Sequence, residues 1–174
     1  MILDLRPLRA GDEDLVARLH AASWRDSYRG MLSDAYLDGD LVGERRALWR
    51  SRLQSPQLGL LALHEGKPVG FAFALADADE RWGTLLDNLH VLPGHRGAGV
   101  GTRLLHELTG EIPHGGLHLW VYEQNVRARD YYERLGARHI ERTKAKGADG
   151  GQLMACLYAW PDIAVLHRLT RPKA

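Results

Sequence analysis

A chain of 174 residues, of which 45% are hydrophobic and 26% charged, is long and apolar enough to bury a sizeable core, so we expect one domain over residues 1–174. A net charge of +1 without a Lys/Arg-rich block excludes an electrostatic footprint for nucleic acid, and the lone Cys156 excludes an internal disulfide. The longest apolar stretch is far shorter than the roughly 20 residues that span a bilayer, and the scattered histidines indicate no metal site. We therefore expect a cytoplasmic protein with no metal, and with neither a membrane nor a nucleic acid as partner.

The N-terminal half is predicted to contain four strands and two helices. Residues 3–8 form a short strand, and the acidic residues that follow it begin a first helix whose apolar positions recur at helical spacing. A second helix is predicted over residues 33–53. Two β-compatible runs, 58–64 and 68–76, are joined by a short gap that favours a hairpin, and residues 84–91 add a further strand.

The C-terminal half begins with a glycine-rich loop that leads into a helix over about residues 99–110. A later helix is capped by Asn125 and stops at Gly136. The remaining strands are predicted over residues 117–121, 138–144 and 152–160. The tail, 161–174, carries apolar residues that pack either on the body of the protein or on another subunit, as in a homodimer.

The glycine-rich loop has the features of an anion-binding turn. Gly97, Gly99 and Gly101 alternate along it, which lets the backbone approach a bulky anion with its N–H groups converging. The helix N-terminus that follows adds a partial positive charge, and Arg96 adds a full one. A tight turn beside a solvated arginine is the alternative. Other nucleotide motifs fit poorly, because no Gly-Lys-Ser/Thr follows and the spacing is G-x-G-x-G.

Two motifs in this part of the chain resemble those of the GNAT superfamily of N-acetyltransferases. The first, similar to the family's cofactor motif, is Leu89-His90-Val91-x-Pro93-x-x-Arg96-Gly97-x-Gly99-Val100-Gly101-x-x-Leu104-Leu105. The second is Asn125-x-x-Ala128-x-x-x-Tyr132-Glu133-x-x-Gly136. The resemblance covers residues 58–136 well and the whole chain more loosely. It implies an α+β fold, with a mostly antiparallel sheet of about seven strands and helices on both faces, and it implies acetyl transfer from acetyl-CoA.

The resemblance also implies how acetyl-CoA is held. The backbone N–H groups expected to bind the pyrophosphate are those of Arg96, Gly97, Ala98, Gly99, Val100, Gly101 and Thr102. Val91 pairs with the pantetheine arm between two strands that part near Val91 and Val121, and a backbone N–H near Leu89 faces the thioester carbonyl. Asn125 binds the pantetheine arm, acts as a simple helix cap, or does both, and Ala128 of the same motif is assigned to the cofactor site.

Tyr132 occupies the position of the family's general acid, which protonates the departing thiolate of coenzyme A. A phenol has an unperturbed pKa near 10, so at neutral pH it is protonated and can donate. The alternative is a core aromatic residue on the inner stripe of the helix. Since the helix would point this residue into the cofactor cleft, we assign Tyr132 the acid role and leave Tyr131 to packing.

The attacking amine must lose a proton to a base or to a water chain. Some family members carry a glutamate six residues before the valine matched by Val91, where this chain has Leu85. Asp87 has the same strand parity and is the first candidate base, with His90 and Glu123 as alternatives. A bulge in the strand would reverse that parity, and Asp87 also fits a solvated or structural carboxylate.

Trp24 and Tyr28 are the predicted acceptor-binding residues, because they offer aromatic surface near the place of the family's acceptor pocket. They also fit a purely structural role in the core. Such a surface suits a primary amine of a small molecule or of a peptide, acetylated by direct transfer in a ternary complex. The rival hypothesis is a noncatalytic sensor that binds acyl-CoA without turnover, against which the presence of Tyr132 argues.

Overall fold

Seven strands form one sheet in the computed structural model, which describes residues 2–54 and 58–172. The strands are β1 (Asp4–Pro7), β2 (Leu58–His64), β3 (Lys67–Asp79), β4 (Gly83–Val91), β5 (Leu117–Tyr122), β6 (Arg138–Lys146) and β7 (Gln152–Trp160). Their order across the sheet is β1-β2-β3-β4-β5-β7-β6, and neighbours are antiparallel except for β4 and β5, which are parallel. This is the α+β architecture expected from the sequence.

Helices cover both faces of this sheet. Within the described ranges they are α1 (Glu13–Ser27), α2 (Asp34–Leu37), α3 (Leu41–Arg52), α4 (Val100–Gly110), α5 (Val126–Arg134) and α6 (Ile163–Leu169). Helices α1 and α3 pack on one face, and α4, α5 and α6 pack on the other. None of these helices is long and apolar enough to cross a bilayer.

Strand β3 shows how one strand serves both faces. Phe71 and Phe73 are fully buried and pack edge-on against Trp49 of α3, with ring centroids 5.3 and 5.1 Å away. The intervening Ala72 and Ala74 are also fully buried, but they belong to the core under α4. Large residues on one side and small ones on the other follow from the two-residue repeat of a strand, and the small ones let α4 approach the sheet closely.

The helix predicted over residues 33–53 is in fact two helices, α2 and α3. Ser33 caps α2 by accepting the Tyr36 N–H at 3.3 Å, and Asp40 caps α3 by accepting the Gly43 N–H at 3.0 Å. Each cap satisfies an N–H group that has no partner inside its helix. The second cap starts a new helix within a stretch whose apolar pattern alone suggested continuity.

The C-terminal tail packs on the same molecule. Helix α6 buries Ile163 and Leu166, which are 4% and 0% exposed, in the core beside α4. His106 of α4 and His167 of α6 stack with ring centroids 4.2 Å apart. Ile163 and Leu166 of α6 therefore pack on the body of the protein, as one of the two predicted arrangements has it.

Candidate active site

Strands β4 and β5 part in the middle of the sheet. In the described chain they share two residue pairs, Thr84 with Leu117 and Leu85 with His118, both near the start of each strand. Beyond these pairs β4 and β5 continue without pairing with each other, and β4 extends as far as Val91. Unpaired strand edges present N–H and C=O groups that an extended ligand can satisfy. The gap is therefore a site where a chain-like molecule can add to the sheet.

A cavity of about 640 Å³ lies at this gap, and its size falls in the range of small-molecule sites. The predicted residues that line it are Tyr28, Asp87, Leu89, Val91, Arg96, Gly97, Gly99, Val100, Gly101, Thr102, Asn125, Ala128 and Tyr132. Ala98 belongs to the predicted cofactor loop but does not line the cavity. The fold thus gathers residues from α1, β4, the glycine-rich loop and α5 around one space.

The glycine-rich loop turns tightly into α4. Gly97 and Gly99 have φ angles of 77° and 83°, a region that glycine enters without steric cost. A Cβ atom on either residue would meet no heavy atom within 4 Å, so the space beside this backbone is open. Gly99 is the N-cap of α4, whose first N–H groups have no partners inside the helix. These features fit a bound pyrophosphate group.

The Arg96 side chain is engaged with the protein. Its Nε donates to the Val91 carbonyl at 3.0 Å and its Nη2 donates to the Ser27 hydroxyl at 3.0 Å, while Nη1 pairs with the Asp26 carboxylate. The sequence suggests a full positive charge for the anion, whereas Asp26 offsets that charge in the structure. Arg96 therefore joins the end of β4 to the end of α1 and fixes the start of the loop.

Asn125 acts as the cap of α5 and also lines the cavity. Its Oδ1 accepts the Ala128 N–H at 3.2 Å, and the residue is 9% exposed. Both interpretations of Asn125 place it at the same point, since capping uses one side-chain oxygen and leaves the amide nitrogen for other contacts. The expected contact of Asn125 and Ala128 with a cofactor stays a prediction.

Tyr132 lies in the wall of the cavity with its ring packed against the core. The residue is 9% exposed, and its ring meets those of Tyr131 and Trp160 edge-on at 5.3 and 6.1 Å between centroids. Burial, reinforced by the neighbouring phenols of Tyr131 and Tyr28, raises the pKa of Tyr132 above its usual value. The side chain is consequently protonated at neutral pH and has the state that a proton donor needs.

A β-bulge in β4 determines where Asp87 lies. Successive residues of β3 pair with Asn88 and with Leu86, so Asp87 is an extra residue in its strand. Since one extra residue reverses the alternation of side chains, the parity argument that relates Asp87 to Val91 does not hold. Asp87 nonetheless lines the cavity, and its carboxylate pairs with Arg52 of α3 at 2.5 Å.

The two alternative bases have less suitable surroundings. His90 lines the cavity and shares a 3.0 Å hydrogen bond with the Ser23 hydroxyl, but burial near Arg96 and Arg45 lowers its pKa to about 3. Such an imidazole is neutral at neutral pH and accepts a proton weakly. Glu123 does not line the cavity; its pKa is lowered by the hydrogen-bonded Arg142, at 2.9 Å.

A second cavity, of about 370 Å³, adjoins the first. Its lining consists of Trp24, Tyr28, Trp120, Val121, Tyr122, Thr143, Ala145 and Ala155. Tyr28, Trp120 and Val121 line both cavities, so the two spaces meet at these residues. Trp24 and Tyr28, the predicted acceptor residues, thus lie in the wall of a cavity beside the one at the strand gap.

Sequence reasoning missed several residues of these walls. Ser23 on α1 and Arg127 and Arg134 on α5 line the larger cavity, and Trp120 lines both. Trp120 carries a signal in the sequence, since it alternates with Leu119 and Val121 in a predicted strand and is therefore on the opposite face. The arginines carry none, because a basic residue on a helix surface is ordinary.

The split sheet, the glycine-rich loop and the shared cavities define an acetyltransferase of the acyl-CoA-binding type. The model of the acetyltransferase (GNAT) family matches residues 19–137. The "Probable N-acetyltransferase Rv2775" of Mycobacterium tuberculosis is 32% identical over 136 residues, which are 75% of this chain and 76% of that relative. The chain belongs to the GNAT family and is an acetyl-CoA-dependent N-acetyltransferase.

Solved structures share the fold. The PaiA N-acetyltransferase of Thermoplasma acidophilum, in complex with coenzyme A, has a TM-score of 0.65 and 19% identity, with 89% of this chain and 98% of that chain covered. The NAA60 protein of Arabidopsis thaliana, in complex with a bisubstrate analogue, has a TM-score of 0.66 and 20% identity, with 91% and 97% covered. At these identities the likeness concerns the fold alone.

Proposed function

We propose that the protein moves the acetyl group of acetyl-CoA onto a primary amine of a small molecule or peptide, by direct transfer in a ternary complex. One observation carries this proposal: the cavity at the strand gap and the aromatic cavity beside it share Tyr28, Trp120 and Val121 as walls. A donor in one space and an acceptor in the other would meet there without a covalent enzyme intermediate. Cys156, the only cysteine, is 1% exposed and lines neither cavity.

Acetyl-CoA supplies the acetyl group as an activated thioester when it is bound. The open backbone at Gly97 and Gly99, with the N-terminus of α4, would hold its pyrophosphate. Val91 and Leu89, at the end of β4 that does not pair with β5, would hold the pantetheine arm, and the backbone N–H near Leu89 would orient the thioester carbonyl. The residues present therefore fit this cosubstrate.

Asp87 is the residue that we assign to proton removal from the amine. Of the three candidates it is the carboxylate that lines the cavity, and its side chain is 26% exposed. The ion pair with Arg52 fixes the orientation of the carboxylate, whose oxygens can accept a proton directly or through a water molecule.

Tyr132 is the residue that we assign to proton donation. Its phenol is protonated at neutral pH and lies in the cavity wall, so it can donate a proton to the leaving sulfur of coenzyme A. A catalytic role of this kind distinguishes the enzyme from the rival sensor, which needs only binding.

We also infer one functional domain, because β1 and β7, from opposite ends of the chain, join the same sheet.

The test is a coenzyme A release assay with the full chain across polyamines, amino acids, aminoglycosides and short peptides, alongside calorimetry of acetyl-CoA binding. Release that depends on an added amine supports the proposal. Acetyl-CoA binding without release for any amine supports the sensor and overturns amine acetylation. A lack of binding overturns both.

A further inference from the structure

The aromatic cavity has stiff, flat walls. Trp24 of α1 and Tyr28, just after that helix, meet edge-on with ring centroids 4.9 Å apart, and Tyr28 meets Tyr122 of β5 in the same way at 5.3 Å. Trp120 lies on the same face of β5 as Tyr122 and is 45% exposed. Interlocked rings lose little freedom when a ligand binds, so the walls are preorganised for an apolar or aromatic group.

Among the residues that the structure describes, those that line this cavity carry no ionised side chain. Its residues are tryptophan, tyrosine, threonine, valine and alanine, with no carboxylate, ammonium, guanidinium or imidazole group. Burial raises the pKa of both Tyr28 and Tyr122, so these phenols stay neutral at physiological pH. A second charge on a ligand would therefore lose water without gaining a partner here, which is costly.

Two charged groups behind this lining, Arg45 and Asp149, already have partners within the protein. The Arg45 guanidinium lies over the Trp24 ring, 4.3 Å from its centroid, and is paired with the Glu44 carboxylate. The Asp149 carboxylate, near Tyr122, already accepts the backbone N–H groups of Ser33 at 2.8 Å and Gly151 at 2.9 Å. Both groups are already engaged with other groups of the protein, so neither is available as a partner for a second charge on the ligand.

We propose that the acceptor is a compact primary amine on an apolar, preferably aromatic, body that carries no second charge. This inference rests on the proposed function. The body would lie against Trp120 and Tyr122, and the amine would point to the junction at Tyr28 and Val121, where the two cavities meet. A space of 370 Å³ equals about twelve water volumes at about 30 Å³ each, which suits a single ring with a short chain.

The experiment compares three amines of similar length with the full chain and acetyl-CoA. They are 2-phenylethylamine, 1,4-diaminobutane and 4-aminobutanoate, which carry on the far side of the amine an uncharged ring, a positive charge and a negative charge. We expect kcat/KM for 2-phenylethylamine to exceed both others by at least about tenfold. Calorimetry of the same amines with coenzyme A present gives a second readout that does not depend on turnover, and we expect the same order of affinity.

A variant tests the role of charge directly. Thr143→Glu places a carboxylate in the wall, on an exposed position of β6, and we expect it to reduce the preference for 2-phenylethylamine over 1,4-diaminobutane by at least about fivefold. Thr143→Gln, of similar shape but neutral, should keep the preference. Lys144→Gln changes the net charge by the same amount as Thr143→Glu, but at a neighbouring residue outside the lining. It should also keep the preference for 2-phenylethylamine.

The outcomes separate the two proposals. Equal or better acetylation of the diamine or the amino acid overturns the inference and leaves amine acetylation intact. If no amine causes coenzyme A release, the proposed function fails and calorimetry decides the inference: preferential binding of 2-phenylethylamine supports it, and equal binding of the three amines, or none, overturns it.

Discussion

Tyr131 and Tyr132 are neighbours on α5 whose hydroxyl groups have different surroundings. The Tyr131 hydroxyl lies 3.3 Å from the Thr102 hydroxyl, at the loop end of the cavity. Tyr132 packs deeper, and its pKa is raised mainly by burial. The same side chain at adjacent positions therefore offers a matched comparison of packing with chemistry.

Tyr132→Phe keeps the ring and deletes the proton donor. We expect kcat to fall by about 10² to 10⁴-fold while acetyl-CoA affinity changes by less than about tenfold, because the lost interaction acts on the leaving group in the transition state. Tyr131→Phe is the control and should keep kcat within about threefold. Steady-state coenzyme A release measures both, and full activity of folded Tyr132→Phe would remove the general-acid assignment.

Asp87→Asn tests the base. We expect kcat/KM to fall most at the low-pH end of the profile, since fewer amine molecules are deprotonated there and other bases are scarce. Arg52→Gln breaks the same ion pair but leaves the carboxylate, so it separates the loss of a base from the loss of a structural contact. A pH profile of Asp87→Asn that matches the wild type excludes Asp87 from the mechanism.

At the scale of elements, periodic signals predicted most strands and helices, and they missed a local cap at Asp40 and a bulge in β4. The alternation around Leu119 and the helical spacing of Leu104, Leu105 and Leu108 are properties of short segments, and the strand and helix that they indicate are both present. The bulge at Asp87 depends on pairing with β3, far away in sequence. No local pattern encodes such a contact, which is why the sequence places Asp87 in a strand but does not predict its orientation.

Gly101→Glu tests the loop without straining the backbone. Unlike Gly97 and Gly99, Gly101 has no positive φ, and the nearest atoms to a Cβ there would be the Tyr131 hydroxyl, at 3.3 Å, and the side chain of Val91, at 3.8 Å. A glutamate at this position adds bulk and negative charge beside the proposed pyrophosphate site, so we expect acetyl-CoA binding to be lost in calorimetry. Gly94→Glu makes the same change outside the cavity and should bind normally. Normal affinity of Gly101→Glu would mean that the loop is only a turn.

Helix α6 offers a pair of leucines for measuring how firmly the tail is docked. Leu166→Ala removes a fully buried side chain and should lower the free energy of unfolding by about 2–5 kcal/mol. Leu169 is 51% exposed, so Leu169→Ala should change that free energy by no more than about 0.5 kcal/mol. Urea denaturation of both variants measures the difference; equal values would contradict the burial pattern.

For the whole molecule, two buried histidines link stability to pH. Burial lowers the pKa of His20 well below its usual value, and burial near Arg96 and Arg45 lowers that of His90 to about 3. Below about pH 6.5 the unfolded chain binds protons at these two histidines and the folded chain does not. The histidines therefore do not reduce the free energy of unfolding above that pH, and they reduce it progressively as the pH falls towards 3.

His90→Asn should make this pH dependence less steep. Each histidine that titrates only in the unfolded chain contributes up to about 1.4 kcal/mol of unfolding free energy per pH unit, so the slope between pH 6 and pH 5 should decrease by up to that amount. His139→Asn, at an exposed histidine, is the control. Denaturant titrations at several pH values give the slopes, and an unchanged slope for His90→Asn would contradict a neutral His90.

The parting of β4 and β5 also has a mechanical consequence. One half of the sheet consists of β1 to β4 and the other of β5, β7 and β6, and strand pairing joins the two halves at two residue pairs. A ligand that adds to the exposed strand edges would contact both half-sheets. Ligand binding would therefore also stabilise the folded state. At a ligand concentration of a hundred times Kd the folded state gains about 2.7 kcal/mol. In the cell, the concentration of acetyl-CoA would then influence the stability of the folded protein as well as its rate of acetyl transfer.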